Sequence, residues 1–261
     1  MKSAIDQQQS YYETTADNYD EMHLGESEHE YALAQLLGIM RYHGFNSLLD
    51  VGAGTGRVLR HARRHLPGVK VVGIEPVAGL RAVGYANGIT GEELREGNAL
   101  NLEYDDDSWD VVCAFGILHH ISDPEAAIRE MCRVARHGVF FSDMNNYGCG
   151  SVCQRTLAHV LRTLHLWRLF QYVKNGGKHE KYSDGDGIFY SYSLFDSINT
   201  IREKFPQTHI GNTKGSSSHL LLGCSHISIF AARSDNALLE CSLAAAKRPD
   251  LEVNHSAAPT S

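Results

Sequence analysis

The sequence predicts a doubly wound α/β fold, with a mostly parallel sheet and helices packed against it. Three observations carry that expectation. From residue 47 to about 146, short apolar runs alternate with helical patterns. The first run empties into three glycines at alternate positions, Gly52, Gly54 and Gly56, with a helix pattern directly behind them. Later apolar runs also end in turn residues and lead into helix, as parallel strands with right-handed crossovers do.

The elements follow in order. Residues 1–46 read as a helical lid, with Leu33, Leu36, Leu37 and Met40 at helical spacing and a stop at Gly44. Residues 47–51 (SLLDV) suit a buried parallel strand. A helix over 57–66 closes at Pro67-Gly68, and residues 70–74 (KVVGI) form a second strand ending at Glu75-Pro76. A helix over 77–87 and a short strand over 94–96 lead to Gly97-Asn98-Ala99. Residues 109–115 (WDVVCAF) are the strongest strand. Asp123 and Pro124 suit the N-cap and first turn of a helix reaching about 135. A fifth strand over 139–142 completes the core, residues 47–146.

After Asn146 the alternation breaks, and residues 147–195 read as an inserted cap. They hold one long helix over 151–174, carrying Leu157, Leu161, Leu164, Trp167 and Phe170, and a loop over 175–193. A helix over 194–204 and strands over 218–222 and 226–231 return to the core, so that residues 196–233 bring the sheet to seven strands. Residues 234–261 read as a weak helix and a flexible tail.

With 261 residues, 43% hydrophobic, the chain can build one sizeable core. A net charge of −7 makes it a poor general binder of nucleic acid. No stretch reads as a signal peptide or a membrane span, and the scattered cysteines suit free thiols in a reducing compartment, so a cytoplasmic location is expected. Cys149 and Cys153 are four apart and could share a helical face as a soft-metal site, although unpaired thiols are the plainer reading.

The glycine turn and the helix start behind it form a place where a ligand can approach the backbone and meet free N–H groups. A dinucleotide fingerprint, GxGxxG, would need glycine at 57, where the chain has Arg57. A nicotinamide-dependent enzyme is therefore disfavoured. Glu75, at the end of the second strand, suits acceptance of two ribose hydroxyls, the alternative being a helix-start cap.

Four segments in order, LLDVGAGTG, VVGIEP, EGNALNLEYDDDSWDVV and AFGILHHISDP, resemble the class I S-adenosylmethionine-dependent methyltransferases, within the group that contains small-molecule enzymes. The resemblance covers about residues 45–145. It implies a Rossmann-like sheet, S-adenosylmethionine as cofactor, and methyl transfer to an O or N atom of a small metabolite, in secondary metabolism. The alternatives are C- or O-methylation of a lipid-like or prenylated acceptor, and a protein that binds the cofactor without transfer. By position, Asp50, Gly52, Ala53 and Gly54 would border the methionine moiety and Glu75 would hold the ribose. Pro76, Asn98 and Ala99 would border the adenine, with Asn98 standing where the family commonly has Asp. Phe115 would border cofactor and acceptor. Tyr12 and Tyr19, in a segment similar to the family's N-terminal closing helix, would face the methionine carboxylate or sulfonium, unless they only pack within the lid.

His119 and His120 stand where the reacting centre is expected. Either could act as a general base, and packing is the alternative. No third ligand lies near them in sequence, so no metal site is expected. A basic, apolar stretch over 154–181 suits a cap helix with a solvated face, with contact to anionic lipid as the less favoured reading. Asp184-Gly185-Asp186-Gly187 reads as a turn.

Overall fold

The structure is a computed structural model that describes residues 4–22, 25–215 and 219–234. The expected tail therefore lies outside the described residues. A sheet of seven strands organises the chain. The strands are β1 (Ser47–Val51), β2 (Lys70–Ile74), β3 (Leu94–Arg95), β4 (Trp109–Phe115), β5 (Ala135–Met144), and then the later strands Gln207–Lys214 and His226–Ala232. Their spatial order runs β3, β2, β1, β4, β5, His226–Ala232, Gln207–Lys214. The first five pair in parallel and the last two are antiparallel.

β1 and β4 are buried along most of their length because both faces are covered, which is why they read as continuous apolar runs. One face packs Leu49, Val112, Val139 and Phe141 with the helix Pro124–Val134. The other packs Leu48, Val111 and Phe140 with helices Ser27–His43 and Arg57–His65. Gly44 takes φ +66° as the C-cap of Ser27–His43, and Asp123 accepts the Ala126 N–H as the N-cap of Pro124–Val134. Strand order reverses between β1 and β4, and that switch point opens a cleft at the carboxyl ends of the strands.

The cap departs from expectation in three places. The stretch 151–174 is two helices, α7 (Val152–Thr163) and α8 (Trp167–Lys174), rather than one. (Helices before it are α1 Ala4–Thr15, α2 Tyr19–Met22, α3 Ser27–His43, α4 Arg57–His65, α5 Ala78–Ala86 and α6 Pro124–Val134.) The break falls at His165, whose φ of +58° ends a right-handed helix. Arg162 sits 3.8 Å from the Tyr147 ring and 4.3 Å from that of Trp167, tying the two helices across the break. Apolar spacing continues through this point, so periodicity hid it.

The stretch 175–193 is no plain loop: it holds a hairpin of β6 (Glu180–Ser183) and β7 (Gly187–Tyr190). The turn between them is the Asp-Gly-rich segment, with Gly187 at φ +68°. Finally, the penultimate core strand is β8 (Gln207–Lys214), whereas Leu220–Gly223 is a helical turn before β9 (His226–Ala232). Residue 218 lies outside the described residues. β8 is an edge strand paired only with β9, so it needs no continuous apolar run, while Leu220-Leu221-Leu222 looked like one. After Leu194–Ser197, a short 3-10 turn, helix α9 (Ile198–Lys204) stands as expected.

Candidate active site

The glycine turn after β1 is held by two N–H groups, from Gly52 and Ala53, that donate to the Ile74 carbonyl at 2.9 and 3.0 Å. Gly52 and Gly54 have φ of +74° and +56°, so side chains there would be strained. A Cβ on Gly52 would lie 2.6 Å from Ile117, and one on Gly54 would lie 3.6 Å from the Tyr19 ring. The turn therefore leaves a backbone-lined cradle under the lid.

Beside it, Glu75 is 5% exposed. Its Oε2 accepts the Gly54 N–H at 2.9 Å and its Oε1 accepts the Val77 N–H at 3.0 Å. Burial pushes its carboxyl up, and those two backbone donors pull it back. Each oxygen keeps a second lone pair beyond those bonds, and the residue lines the cleft. The cap reading and the ribose reading are thus compatible: one carboxylate fixes the turn and still offers two acceptors.

The cleft encloses about 1140 Å³ of empty space, part of it open to solvent. Tyr12, Tyr19, Gly52, Gly54, Glu75, Pro76, Asn98, Ala99, Phe115 and His120 all line it. Three expected residues do not. Ala53 packs with Leu59 and Ile89 beneath the turn. Asp50 is buried below the cradle, 3.5 Å from the Cys113 thiol, and burial pushes its carboxyl up to about 7 against the pull of that thiol and of Arg57. His119 lies behind its neighbour. Asn98 lines the cleft, but its side-chain oxygen also accepts the Leu100 N–H at 2.9 Å, closing a local turn.

Among the lining residues that escaped the sequence reading, two matter most for the lid. Tyr190 comes from the hairpin that was expected to be loop, and Gln8 sits on α1. Gln8 accepts the Ile188 N–H and donates to the Asp186 carbonyl at 3.2 Å, while the Tyr11 hydroxyl donates to the Asp184 carbonyl at 3.1 Å. The lid and the hairpin thus clasp each other over the cleft. No local signal marks such a pairing of segments 180 residues apart.

The histidine pair has two environments. His119 Nδ1 lies 2.6 Å from Asp143 Oδ1 and its Nε2 lies 3.5 Å from Asp186 Oδ2. Burial pulls its pKa down, but Asp143 and then Asp186 outweigh this and raise it to about 10. Carboxylates beside both of its ring nitrogens favour the imidazolium and oppose a general-base role for His119. Asp143 is itself fixed by N–H groups of Leu118 and Met144 at 2.8 and 2.7 Å. His120 Nδ1 donates to the Ile188 carbonyl at 2.6 Å, and its Nε2 lies 3.1 Å from the Tyr12 hydroxyl and 3.3 Å from Asp186 Oδ1. Asp186, remote in sequence, is the third group that the spacing around His119 and His120 did not reveal.

The exposed cysteines 149 and 153 begin the cap, and none of the described cysteines, Cys113, Cys132, Cys149, Cys153 and Cys224, is in a disulfide. No helix among the described residues is long and apolar enough to cross a membrane.

Comparison with known proteins agrees with this geometry. Residues 49–142 match the family described as "Methyltransferase domain". Over 97 residues the chain is 34% identical to norajmaline N-methyltransferase of Rauvolfia serpentina, covering 35% of this chain and 33% of that protein. Over 101 residues it is 36% identical to demethylmenaquinone methyltransferase of Roseiflexus castenholzii, covering 34% and 38%. The chain thus aligns with about a third of the length of these curated relatives. The fold is that of a SAM-dependent methyltransferase from Thermotoga maritima (TM-score 0.55, 17% identity, 86% of this chain and 99% of that one). It is also that of an S-adenosylmethionine-dependent methyltransferase from Mesorhizobium loti (TM-score 0.52, 15% identity, 77% and 98%).

Proposed function

We propose that this chain, whose residues 49–142 carry a methyltransferase domain, binds S-adenosylmethionine and methylates an O or N atom of a small molecule. The observation that carries the reading is Glu75, pinned by the Gly54 and Val77 N–H groups beside a turn whose Gly52 and Gly54 add no side chains of their own. When bound, S-adenosylmethionine supplies a methyl group already activated on a sulfonium. The chain's own task is then alignment and exclusion of water. Glu75 would accept the ribose hydroxyls, Gly52 and Gly54 would let the methionine portion lie against backbone, and Pro76, Asn98 and Ala99 would border the adenine. Tyr12 and Tyr19, both on the lid side, would cover it. The acceptor would enter between Phe115, His120 and Tyr190. A base is needed only for an acceptor that keeps its proton, and His120 is the residue placed for it.

Relatives named for norajmaline and demethylmenaquinone support a small-molecule acceptor. A role in secondary metabolism and a cytoplasmic location belong to the same reading. One observation favours a second, lipid-like acceptor: α7, α8 and the join between them expose Leu157, Val160, Leu164, Leu169 and Val173. Calorimetry with S-adenosylmethionine and its demethylated product tests the first step. Both should bind, and Glu75→Gln should weaken binding by about 10–100-fold, the usual cost of a lost hydrogen bond to a charged group. Folded protein that gives no heat with either compound would end the reading. Labelled methyl transfer to small-molecule and lipid extracts then separates the two acceptor classes, and binding without transfer would leave a cofactor-binding protein.

A further inference from the structure

We propose that His119 Nε2, His120 Nε2 and the Asp186 carboxylate form a site for one divalent first-row transition-metal ion of the zinc type at the acceptor end of the cleft. The three side chains offer ligand atoms that all lie within 4.8 Å of one another. His119 Nε2 and His120 Nε2 stand 3.5 and 3.3 Å from the two oxygens of Asp186. Ligands about 2.0–2.1 Å from a tetrahedral zinc are separated by about 3.3–3.4 Å, and these two separations, each to a different Asp186 oxygen, are close to that value.

The groups behind the ligands point the same way. A metal-binding histidine nearly always donates its other ring N–H to a carboxylate or a backbone carbonyl, which fixes the tautomer and aims the free nitrogen. Here His119 Nδ1 meets Asp143 at 2.6 Å, and His120 Nδ1 meets the Ile188 carbonyl at 2.6 Å. Both Nε2 atoms are thereby turned toward Asp186. Asp143 is in turn fixed by two backbone N–H groups. Two imidazoles with one carboxylate suit zinc, iron or cobalt better than the all-oxygen preference of magnesium or calcium. The Tyr12 hydroxyl, 3.1 Å from His120 Nε2, stands at the edge of the set, and the cleft lies beyond it.

Placed there, the ion would give the hairpin turn a function: Asp186 would close the site only when β6 and β7 are docked on α1. With His120 Nε2 bound to it, the ion would take over the base role given to His120 above, as a Lewis acid that lowers the pKa of a bound hydroxyl. The proposal deepens the acceptor half of the proposed function, but metal binding is read without methyl transfer, so its failure leaves cofactor binding untouched.

The test is titration of the apo full-length protein with Co²⁺, followed by visible absorption and displaced by Zn²⁺, with metal content checked after gel filtration. One equivalent should bind with the d–d bands of a low-symmetry nitrogen and oxygen site. Asp186→Asn, at a side chain 39% exposed and so tolerant of change, should weaken Co²⁺ by about tenfold or more. Asp143→Asn should do so by roughly 10–100-fold. A Cys149→Ser, Cys153→Ser double variant should bind as well as the wild type. The proposal is overturned if folded wild-type protein takes up no Co²⁺, if Asp186→Asn binds it unchanged, or if binding shows thiolate charge-transfer bands and disappears with the two cysteines.

Discussion

Glu75 shows how one side chain can be structural and functional at once. Its carboxylate satisfies two buried N–H groups of the turn, which a cap requires, and the same fixation preorganises it for a ligand. His29 shows the opposite case, a titratable group the fold tolerates only when neutral. It is 9% exposed, and burial first, then Arg57 and His226, lower its pKa from 6.5 to about 4, against the pull of Asp143, Glu28 and the nearby Glu26 carboxylate. Because the folded value lies below the unfolded one, the unfolded chain takes the proton first as pH falls. His29 therefore costs no stability above about 6.5, and stability drains away between there and about 4. The loss reaches about 3 kcal/mol only below about pH 4, where the folded chain is protonated as well. Urea unfolding of the wild type and His29→Gln across that window should show the difference between them shrinking as pH falls. A pH-independent difference would refute the assignment. Burial acts on Asp50 with the reverse sign, which is why the comparison must be made between variants and not on one curve.

Among elements, the joint between β5 and the cap is held by one buried amide. Asn145, with no exposed surface, donates to the carbonyls of Leu220, Leu221 and Cys224, at 3.1, 3.0 and 2.8 Å. Its oxygen accepts the Ser193 hydroxyl at 2.9 Å and the Tyr147 N–H at 3.1 Å. One amide thus holds the end of β5, the start of the cap, its return at Ser193 and the helical turn before β9. Asn145→Ala should cost about 2–4 kcal/mol, because several buried backbone groups lose their partner at once. A midpoint of urea unfolding close to the wild type would show that water or rearrangement replaces the joint. The α7–α8 break and the β6–β7 hairpin belong to the same scale: Arg162 bridges the rings of Tyr147 and Trp167 across the break, and Gln8, from the far end of the chain, holds Ile188 of the hairpin.

For the whole molecule, the cleft is closed by α1 and β7, elements from opposite ends of the cap-and-lid arrangement, packed over a switch point that the sheet alone creates. A ligand under that clasp should slow its opening. On addition of the demethylated cofactor product at 100 times its dissociation constant, unfolding free energy should rise by about 2.7 kcal/mol. Amide exchange should slow in the segments 8–19 and 186–190 more than on the far side of the sheet, around α9. Equal slowing everywhere would mean that the ligand stabilises the fold without the lid taking part.

What the sequence determined by itself was local or periodic: the alternating core from β1 to β5, the glycine turn, the Gly44 and Asp123 helix ends, and Glu75 at the close of β2. Each is written in adjacent residues, because a strand's burial, a cap or a positive φ depends on a few neighbours. Only the tertiary structure decided the rest. It put polar β8 at the sheet edge, folded 175–193 into a hairpin, hid Asp50 and Ala53 below the cradle, and brought Asp186 to His119 and His120. Those outcomes depend on groups many residues apart in the chain, and no spacing along a sequence encodes a distance that only packing sets.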